Sequence, residues 1–539
     1  MNAQRLLQHF ERISEAPNAV PRLRRFILDL AVRGKLVEQD PGDEPAAELL
    51  ERIRAEKARM AKAGEIKKER PLPLVEEDEV PFSPPTGWEW VRIRQVTSDR
   101  GQITPDKDFT YIDVTAINKE VGCIADAKVL SPIDAPSRAR KMVQTGDVLY
   151  SCVRPYLLNI AVIERDIVPS PIASTAFAVL SGFGLVLSKY LWIVLRSPFM
   201  VGCVEAKMRG QAYPAINDSD FAILPLPLPP LAEQHRIVAK VDELMALCDR
   251  LEAAQAERES LRDRVVAASL YRVNNGADVD SFLQHARFHL RHLPRLTTRH
   301  EHIQQLRQTI LNLAVRGQLV PQDPNDQSAP EFGIGLESDH EDRLSFRLPT
   351  GWTWARVGDV ADARLGKMLD KAKNAGRPYR YLRNTNVHWF DVRMDELKHL
   401  RIEEAEIEKY LLRDGDVLIC EGGHGIGRTA VWREKETDIA FQKALHRVRP
   451  GLALSSDFFA YCVFVYFHAR VLQTYFTGVG IPHFTGNALS TLVFPLPPLV
   501  EQHRIVAKVD ELMVPCDRLE TQLITTQIES RRFLEATTL

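Results

Sequence analysis

Nineteen residues of this chain are written twice. Pro227-Leu-Pro-Pro-Leu-Ala-Glu-Gln-His-Arg-Ile-Val-Ala-Lys-Val-Asp-Glu-Leu-Met245 returns at Pro495–Met513, 268 residues on, with the single change of Ala232 to Val500. A repeat so long and so distant requires a duplicated unit of domain size. The stretch is also legible as structure. Prolines close an extended segment, Pro230 stands where a helix can start, and Glu233 falls in the first turn. Ile237, Val241, Leu244, Cys248 and Leu251 then step by 4, 3, 4 and 3, the spacing of a coiled-coil seam. Ile505, Val509, Leu512, Cys516 and Leu519 repeat it. Two long helices with one apolar stripe each are expected, and the economical cover for each stripe is the other.

The duplication extends upstream. Leu30-Ala-Val-Arg-Gly34 matches Leu313-Ala-Val-Arg-Gly317, and glycine after a basic residue is a helix stop. Gln39-Asp-Pro41 matches Gln322-Asp-Pro324, and Leu7-Gln-His9 is echoed at Leu283-Gln-His285. Residues 1–60 read as helical and 61–85 as a charged, proline-punctuated linker. Pro85-Thr-Gly-Trp-Glu-Trp-Val-Arg92 and Pro349-Thr-Gly-Trp-Thr-Trp-Ala-Arg356 each turn into a strand. Short strand-like runs follow (Tyr111–Ile117, Asp147–Cys152, Ile160–Ile163, Ala176–Leu180), with one helix over Lys189–Arg209, so each reader is an α+β domain. The domain order is a helical region and linker (1–85), a first reader (86–230), a central helical region (231–345), a second reader (346–498) and a C-terminal long helix (499–539). Between shared anchors such as Gly146-Asp-Val-Leu149 and Gly415-Asp-Val-Leu418 the readers differ almost everywhere. One frame with unlike loops suits two readers of different targets.

Bulk properties narrow the function. A chain of 539 residues exceeds one core. No apolar run reaches the roughly 18 residues of a bilayer span, and Met1-Asn-Ala-Gln-Arg5 has no signal core. Seven cysteines without a C-x-x-C pair argue against disulfides and zinc, and for a reducing cytoplasm. A net charge of -2 confines any nucleic-acid face to a local patch.

No motif commits to a reaction. Gly422-Gly-His-Gly-Ile-Gly-Arg-Thr429 has phosphate-loop spacing, but Arg428 stands where lysine is needed and Ala430-Val-Trp432 reads as strand, so a glycine-rich turn is expected. Glu205 and Lys207 with Pro105-Asp106 lack the third acid of a nuclease set. Neither a methyltransferase Asn/Asp-Pro-Pro-Tyr/Phe nor a Ser/His/Asp or Cys/His set stands out. His285, His289, His292, His300 and His302, among five arginines, read as a solvated loop or a phosphate contact in preference to a metal site. His235-Arg236 and His503-Arg504 suit a carboxylate or a partner chain. Recognition remains. Arg154, Tyr156, Asn159, Arg209, Gln211 and Tyr213 in the first reader suit base edges and phosphates. So do Arg383, Asn384, Asn386, His424, Arg428 and His483 in the second, with Lys367, Lys371 and Lys373 as phosphate contacts.

In these motifs the chain resembles a specificity subunit of a type I restriction-modification system. The resemblance spans nearly the whole chain. It implies two α/β target-recognition domains joined by two long helices in an antiparallel coiled coil, with internal twofold pseudo-symmetry. It further implies that each domain binds half of a split double-stranded DNA target and that the chain is non-catalytic and without a cofactor of its own. Two modification subunits would bring S-adenosylmethionine and methylate adenine, and restriction subunits would bring ATP, Mg and cleavage. Helices of 25–30 residues would span about 38–45 Å and set half-sites about one DNA turn apart. Pro515, where the first copy has Leu247, is expected to bend or restart the second helix. A coiled-coil adaptor without DNA readout and an enzyme with a hidden site are the alternatives.

Overall fold

A computed structural model describes residues 19–66, 71–210, 213–276, 279–332, 346–370, 374–433, 438–478 and 480–538. Its contacts divide the chain into two units, Met1–Glu257 with Gln527–Leu539, and Arg258–Thr526. No helix among the described residues is long and apolar enough to cross a membrane.

The first unit opens with α1 (Ala19–Val32) and α2 (Ala46–Lys62), whose Ile27, Leu28, Leu49 and Ile53 enter the main core. The helix stop read at Gly34 is a Schellman turn. Lys35 N–H donates to Leu30 O at 2.9 Å, Gly34 N–H donates to Ala31 O at 3.3 Å, and Gly34 has φ +63. The strand entry of the reader packs on that turn, so a Cβ at Gly34 would lie 2.4 Å from Pro85 Cγ. Trp88, next along, is buried and donates its indole N–H to Glu233 Oε2 at 2.8 Å. The second unit repeats each contact after the helix His300–Val315: Gly317 at φ +69, Pro349 Cγ 2.5 Å from its virtual Cβ, and Trp352 on Glu501 at 3.0 Å.

These contacts explain the duplicated Glu-Gln-His-Arg. Burial pushes both glutamate pKa values up, against the opposing indole hydrogen bonds. Gln234 accepts from Leu187 N–H at 3.0 Å and donates to Pro229 O at 3.1 Å; Gln502 does the same with Ser455 N–H at 2.7 Å and Pro497 O at 2.9 Å. Arg236 pairs with Asp43 at 2.6 Å and Arg504 with Asp326 at 2.5 Å, the carboxylate role expected for them. The glutamate and glutamine therefore fasten each long helix to its reader, and the arginine fastens it to the loop after the Gly34 or Gly317 helix stop; His235 and His503 are exposed.

In the first reader β1 (Glu89–Arg92) pairs with the proline-rich strand Pro225–Leu228. The other strands of three or more residues are β2 (Phe109–Ile112), β3 (Lys128–Leu130), β4 (Ala139–Met142), β5 (Val148–Ser151), β6 (Ile160–Val162), β7 (Pro171–Ser174) and β8 (Phe177–Leu180), with Pro225–Leu228 as β9. They form sheets of order β3-β2-β7-β4 and β8-β5-β6, with β2 and β7 parallel. The expected helix over Lys189–Arg209 is two: α3 (Ser188–Arg196) and α4 (Pro198–Lys207). Pro198 cannot continue a helix but suits its first turn, and Ser197 Oγ caps Met200 N–H at 3.2 Å. The second reader has β10 (Thr353–Arg356), β11 (Ala361–Leu365), β12 (Arg377–Leu382), β13 (Lys398–Ile402), β14 (Val417–Cys420), β15 (Thr429–Val431), β16 (Ile439–Phe441), β17 (Leu445–Pro450) and β18 (Val493–Leu496). Its sheets run β11-β17-β14-β15 and β13-β12-β16, with β10 on β18.

The Gly-Asp-Val-Leu anchors carry a buried carboxylate ahead of a core strand. Asp147 accepts from Arg100 at 2.6 Å and from Gln144 N–H at 2.8 Å. Asp416 accepts from Arg449 at 2.7 and 2.8 Å and from Arg413 N–H at 2.7 Å. The same acid is thus matched by arginines from different places in the two readers.

The long helices are α5 (Leu231–Asn274) and, at the C-terminus, Leu499–Thr538. At about 1.5 Å per residue they run about 66 and 60 Å, longer than the expected 25–30 residues. The seam ends at Leu251, but the Ala-, Glu- and Arg-rich text beyond it is good helix former and continues the helix. The seam's cover is also nearer than expected. In the first unit Ile237, Val241 and Cys248 share one core with Val20, Ile27 and Leu28 of α1, and Arg24 pairs with Asp249 at 2.5 Å and Glu252 at 3.0 Å.

The segment read as a solvated loop is helical: α6 (Val279–Leu296) and α7 (His300–Val315). Its histidines divide between faces. His289 is buried on Ser269 Oγ at 3.1 Å, with its pKa lowered by burial, and His302 meets Asp263 at 2.8 Å. In the second unit α7 covers the seam as α1 does in the first, with Ile303 and Ile310 beside Ile505, Val509 and Cys516 and Arg307 on Asp517 and Glu520 at 2.5 and 2.8 Å. With α8 (Ser456–His468) preceding it, the C-terminal long helix is α9. It is continuous through Pro515, without the restart expected there. Glu511, whose carbonyl loses its partner, and Pro515 are both exposed, so water can replace the lost bond.

Candidate nucleic-acid interface

Each reader presents two loops laced together by backbone bridges. In the first, the β5–β6 loop meets the segment after α4. Ile216 N–H donates to Cys152 O at 3.0 Å, Arg154 N–H to Pro214 O at 2.8 Å, and Arg209 and Ala215 exchange two bonds at 2.9 Å. In the second, the β14–β15 loop meets the segment before Phe484. Phe484 N–H donates to Glu421 O at 2.7 Å, and Thr477 and His483 exchange two bonds at 2.8 Å. Gly422 also bridges His483 as Val153 bridges Ala215. The frame is one frame. Arg209 stands in register with Thr477, Ala215 with His483 and Arg154 with Gly423.

The side chains on that frame differ. Arg154 has a left-handed backbone, φ 47, and lies over the Tyr213 ring at 5.0 Å. Tyr213 and Tyr156 are 70% and 44% exposed. Arg209 is exposed but paired with Asp220 at 3.1 Å. Beneath the loops Lys141 is buried; burial opposes its charge, but Asp99 at 2.6 Å and Asp218 at 3.1 Å hold its pKa above the usual value. Asn159 is half-buried at the end of the turn, its carbonyl held by Ser151 N–H at 3.0 Å. Gln211 lies outside the described residues.

In the second reader the glycine-rich run is the turn expected of it, joining β14 to β15 through a 3-10 turn at Gly423–Gly425 with no helix after it. Gly423 and Gly427 have φ +76 and +80, and a Cβ on Gly427 would lie 3.0 Å from Leu472 and Phe467. His424 is exposed and Arg428 half-buried on this turn. His483 Nδ1 meets Glu421 Oε1 at 3.0 Å. Glu421 is a further polar residue of this turn, signalled in the sequence only as an acid directly before the glycine run, at the mouth of a strand.

Two expected contacts belong to the framework. Asn386 is buried, accepts from Arg383 N–H at 3.0 Å and donates to Arg393 O and Asp395 O at 2.9 Å, so its amide has no edge left for a base. Lys367 sits between Glu403, at 2.6 Å, and Glu406, which neutralise it as a phosphate contact. Arg383 donates to Glu396 O at 3.1 Å, and Asn384 is half-buried beside the glycine turn, its carbonyl accepting from Cys420 Sγ at 3.7 Å. Lys371 and Lys373 lie outside the described residues. Seven expected residues therefore gather on the paired loops: Arg154, Tyr156, Arg209 and Tyr213 in one reader, His424, His483 and, at the base of the turn, Arg428 in the other.

Burial pushes the thiols of Cys152 and Cys420 up to about 12, so both stay protonated at neutral pH. Among the described residues no three His, Cys, Asp or Glu side chains come together as metal ligands.

Known proteins share this architecture. A family model for the type I restriction modification DNA specificity domain matches residues 349–530. The chain is 28% identical over 550 residues to the EcoAI specificity subunit of a type I restriction enzyme from Escherichia coli, covering 96% of this chain and 93% of that one. It is 27% identical over 554 residues to the EcoEI specificity subunit, also from Escherichia coli, with the same coverage. A chain from a solved structure describing complex assembly and conformational transition of the type I R-M system superposes with TM-score 0.54 at 26% identity, over 85% of this chain and 98% of that one.

Proposed function

The chain belongs to the DNA specificity subunits of type I restriction-modification systems, and from that premise we propose how it divides its labour. Each pair of laced loops reads one half of a split double-stranded DNA target, and the long helices fix the distance between the halves. The observation that carries this is the loop frame itself, built twice in matching register with different side chains on it. A frame kept while its letters change is what two readers of different sequences require.

The chain makes and breaks no bond itself in this reading. It acts in the cytoplasm as the sequence-bearing part of an assembly with two modification subunits, which bind S-adenosylmethionine and methylate, and restriction subunits, which use ATP and Mg. The duplicated surface supports two copies of a partner. His235, Ala239, Asp242 and Glu243 are exposed and identical to His503, Ala507, Asp510 and Glu511, although burial demands none of them. Equal faces on unlike readers suit a partner that docks twice.

Lengthening the helices tests the ruler. Four residues, about one helical turn of roughly 6 Å, inserted after Ala253 in α5 and after Thr521 in α9 should lengthen the unread spacer of the methylated site by one or two base pairs. The two half-sites should stay as they were. Altered half-sites with an unchanged spacer would overturn the division between loops and helices.

A further inference from the structure

We infer that Arg154 is the residue by which the first reader demands a guanine in its half-site. The inference rests on the reading of the laced loops as the DNA face, and goes beyond it by naming one base and the residue that selects it.

Arg154 stands at the tip of the β5–β6 loop, exposed, at a φ of 47 that only surrounding structure holds for a residue with a Cβ. Its own N–H is fixed on Pro214 O, and its guanidinium lies over the Tyr213 ring at 5.0 Å. A planar donor fork is thus presented on an aromatic plate, pre-ordered before any ligand arrives. Among the described residues no carboxylate pairs with it. Two neighbouring cations are neutralised, Arg209 by Asp220 and Lys141 by Asp99 and Asp218, while Arg94, near Cys152, is only half-exposed.

That contrast decides between backbone and base. A phosphate rail keeps several cations unneutralised along its length. Here acids quench Lys141 beneath the loops and Arg209 beside them, and leave one fork oriented on an aromatic ring at the tip. In the major groove guanine alone offers two acceptors, O6 and N7, on one edge, which the fork can take together. The second reader has Gly423 in the matching place and His483 beside Glu421 opposite it, so its half-site makes no such demand. It serves as an internal control.

The test uses the chain assembled with its modification subunits. Methylated-site sequencing first defines the two half-sites. Duplexes carrying every single base-pair change in the first half-site then compete for binding to the wild type and to Arg154→Gln, Arg154→Lys and Tyr213→Leu. We expect one G·C pair whose replacement weakens the wild type roughly tenfold or more and Arg154→Gln hardly at all. Arg154→Lys should lose most of that discrimination and Tyr213→Leu part of it. The second half-site should read the same in all four. If Arg154→Gln instead binds every duplex more weakly by one factor, with a salt slope smaller by roughly 0.9, Arg154 touches a phosphate and the guanine assignment fails while half-site reading stands. A first half-site without a G·C pair, or no change at all, also overturns it. Loss of discrimination in both half-sites would refute the modular reading itself.

Discussion

Replacing Asp416 by alanine should destabilise the second unit by about 3–5 kcal/mol, the range for removing one partner of a buried, hydrogen-bonded ion pair. Its carboxylate side chain is 1% exposed and accepts from Nε and Nη2 of Arg449 as well as from the Arg413 N–H. Alanine would leave Arg449 facing Arg447, itself buried and already pushed down in pKa, first by burial and then by Arg449. Arg449 would keep only its long bond to Leu411 O at 3.4 Å and the weaker pull of Asp362 and Glu408. Asp147→Ala in the first unit should cost less, because Asp147 meets one arginine nitrogen and burial already pushes its pKa up. Hydrogen exchange across β14 and β5, with denaturant titration of the whole chain, reads both. Losses under about 1 kcal/mol at Asp416 would show that the anchor is not the pillar described here.

Gly317→Ala should cost about 2–4 kcal/mol, and Gly34→Ala about the same. Each glycine holds a left-handed backbone worth roughly 1–2 kcal/mol against any other residue, and each has proline where a methyl group would go. The Pro349 and Pro85 Cγ atoms, 2.5 and 2.4 Å away, belong to rings packed beside Trp352 and Trp88, so neither can swing aside. Gly64 provides the comparison. It has φ +76 in the same kind of turn but nothing within 4 Å, so Gly64→Ala should cost only the backbone share, about 1 kcal/mol. Thermal unfolding of the three variants separates the contact from the conformation. Equal losses at Gly64 and Gly317 would mean the proline contact contributes nothing.

What the sequence disclosed depended on whether the cause was local. The repeat, the start of each long helix, the helix stops at Gly34 and Gly317, and the strand runs around β5, β6 and β8 follow from neighbours a few residues away. The glycine run before Thr429 was legible as a turn for the same reason. Partners were another matter. A 4-3 seam announces that a stripe must be covered and says nothing about by what, so α1 and α7 went unrecognised as its cover. Lys367 is neutralised by acids 36 and 39 residues away, and Asn386 by carbonyls reached only through the fold of its own loop. Histidines 285 to 302 looked solvated because charge masked the helical spacing of Phe282, His289 and Leu296. The laced loops were half visible: the stretches were picked out, but Ala215 and His483 as the shared stitch come from backbone geometry.

The most direct trial of the account exchanges residues 86–230 for the matching reader of another specificity subunit and sequences the methylated sites in cells carrying the assembled complex. A frame that holds two independent palms should yield a site in which one half is new and the other half, together with the gap between them, is untouched. A product that changes both halves, or keeps both, would contradict it.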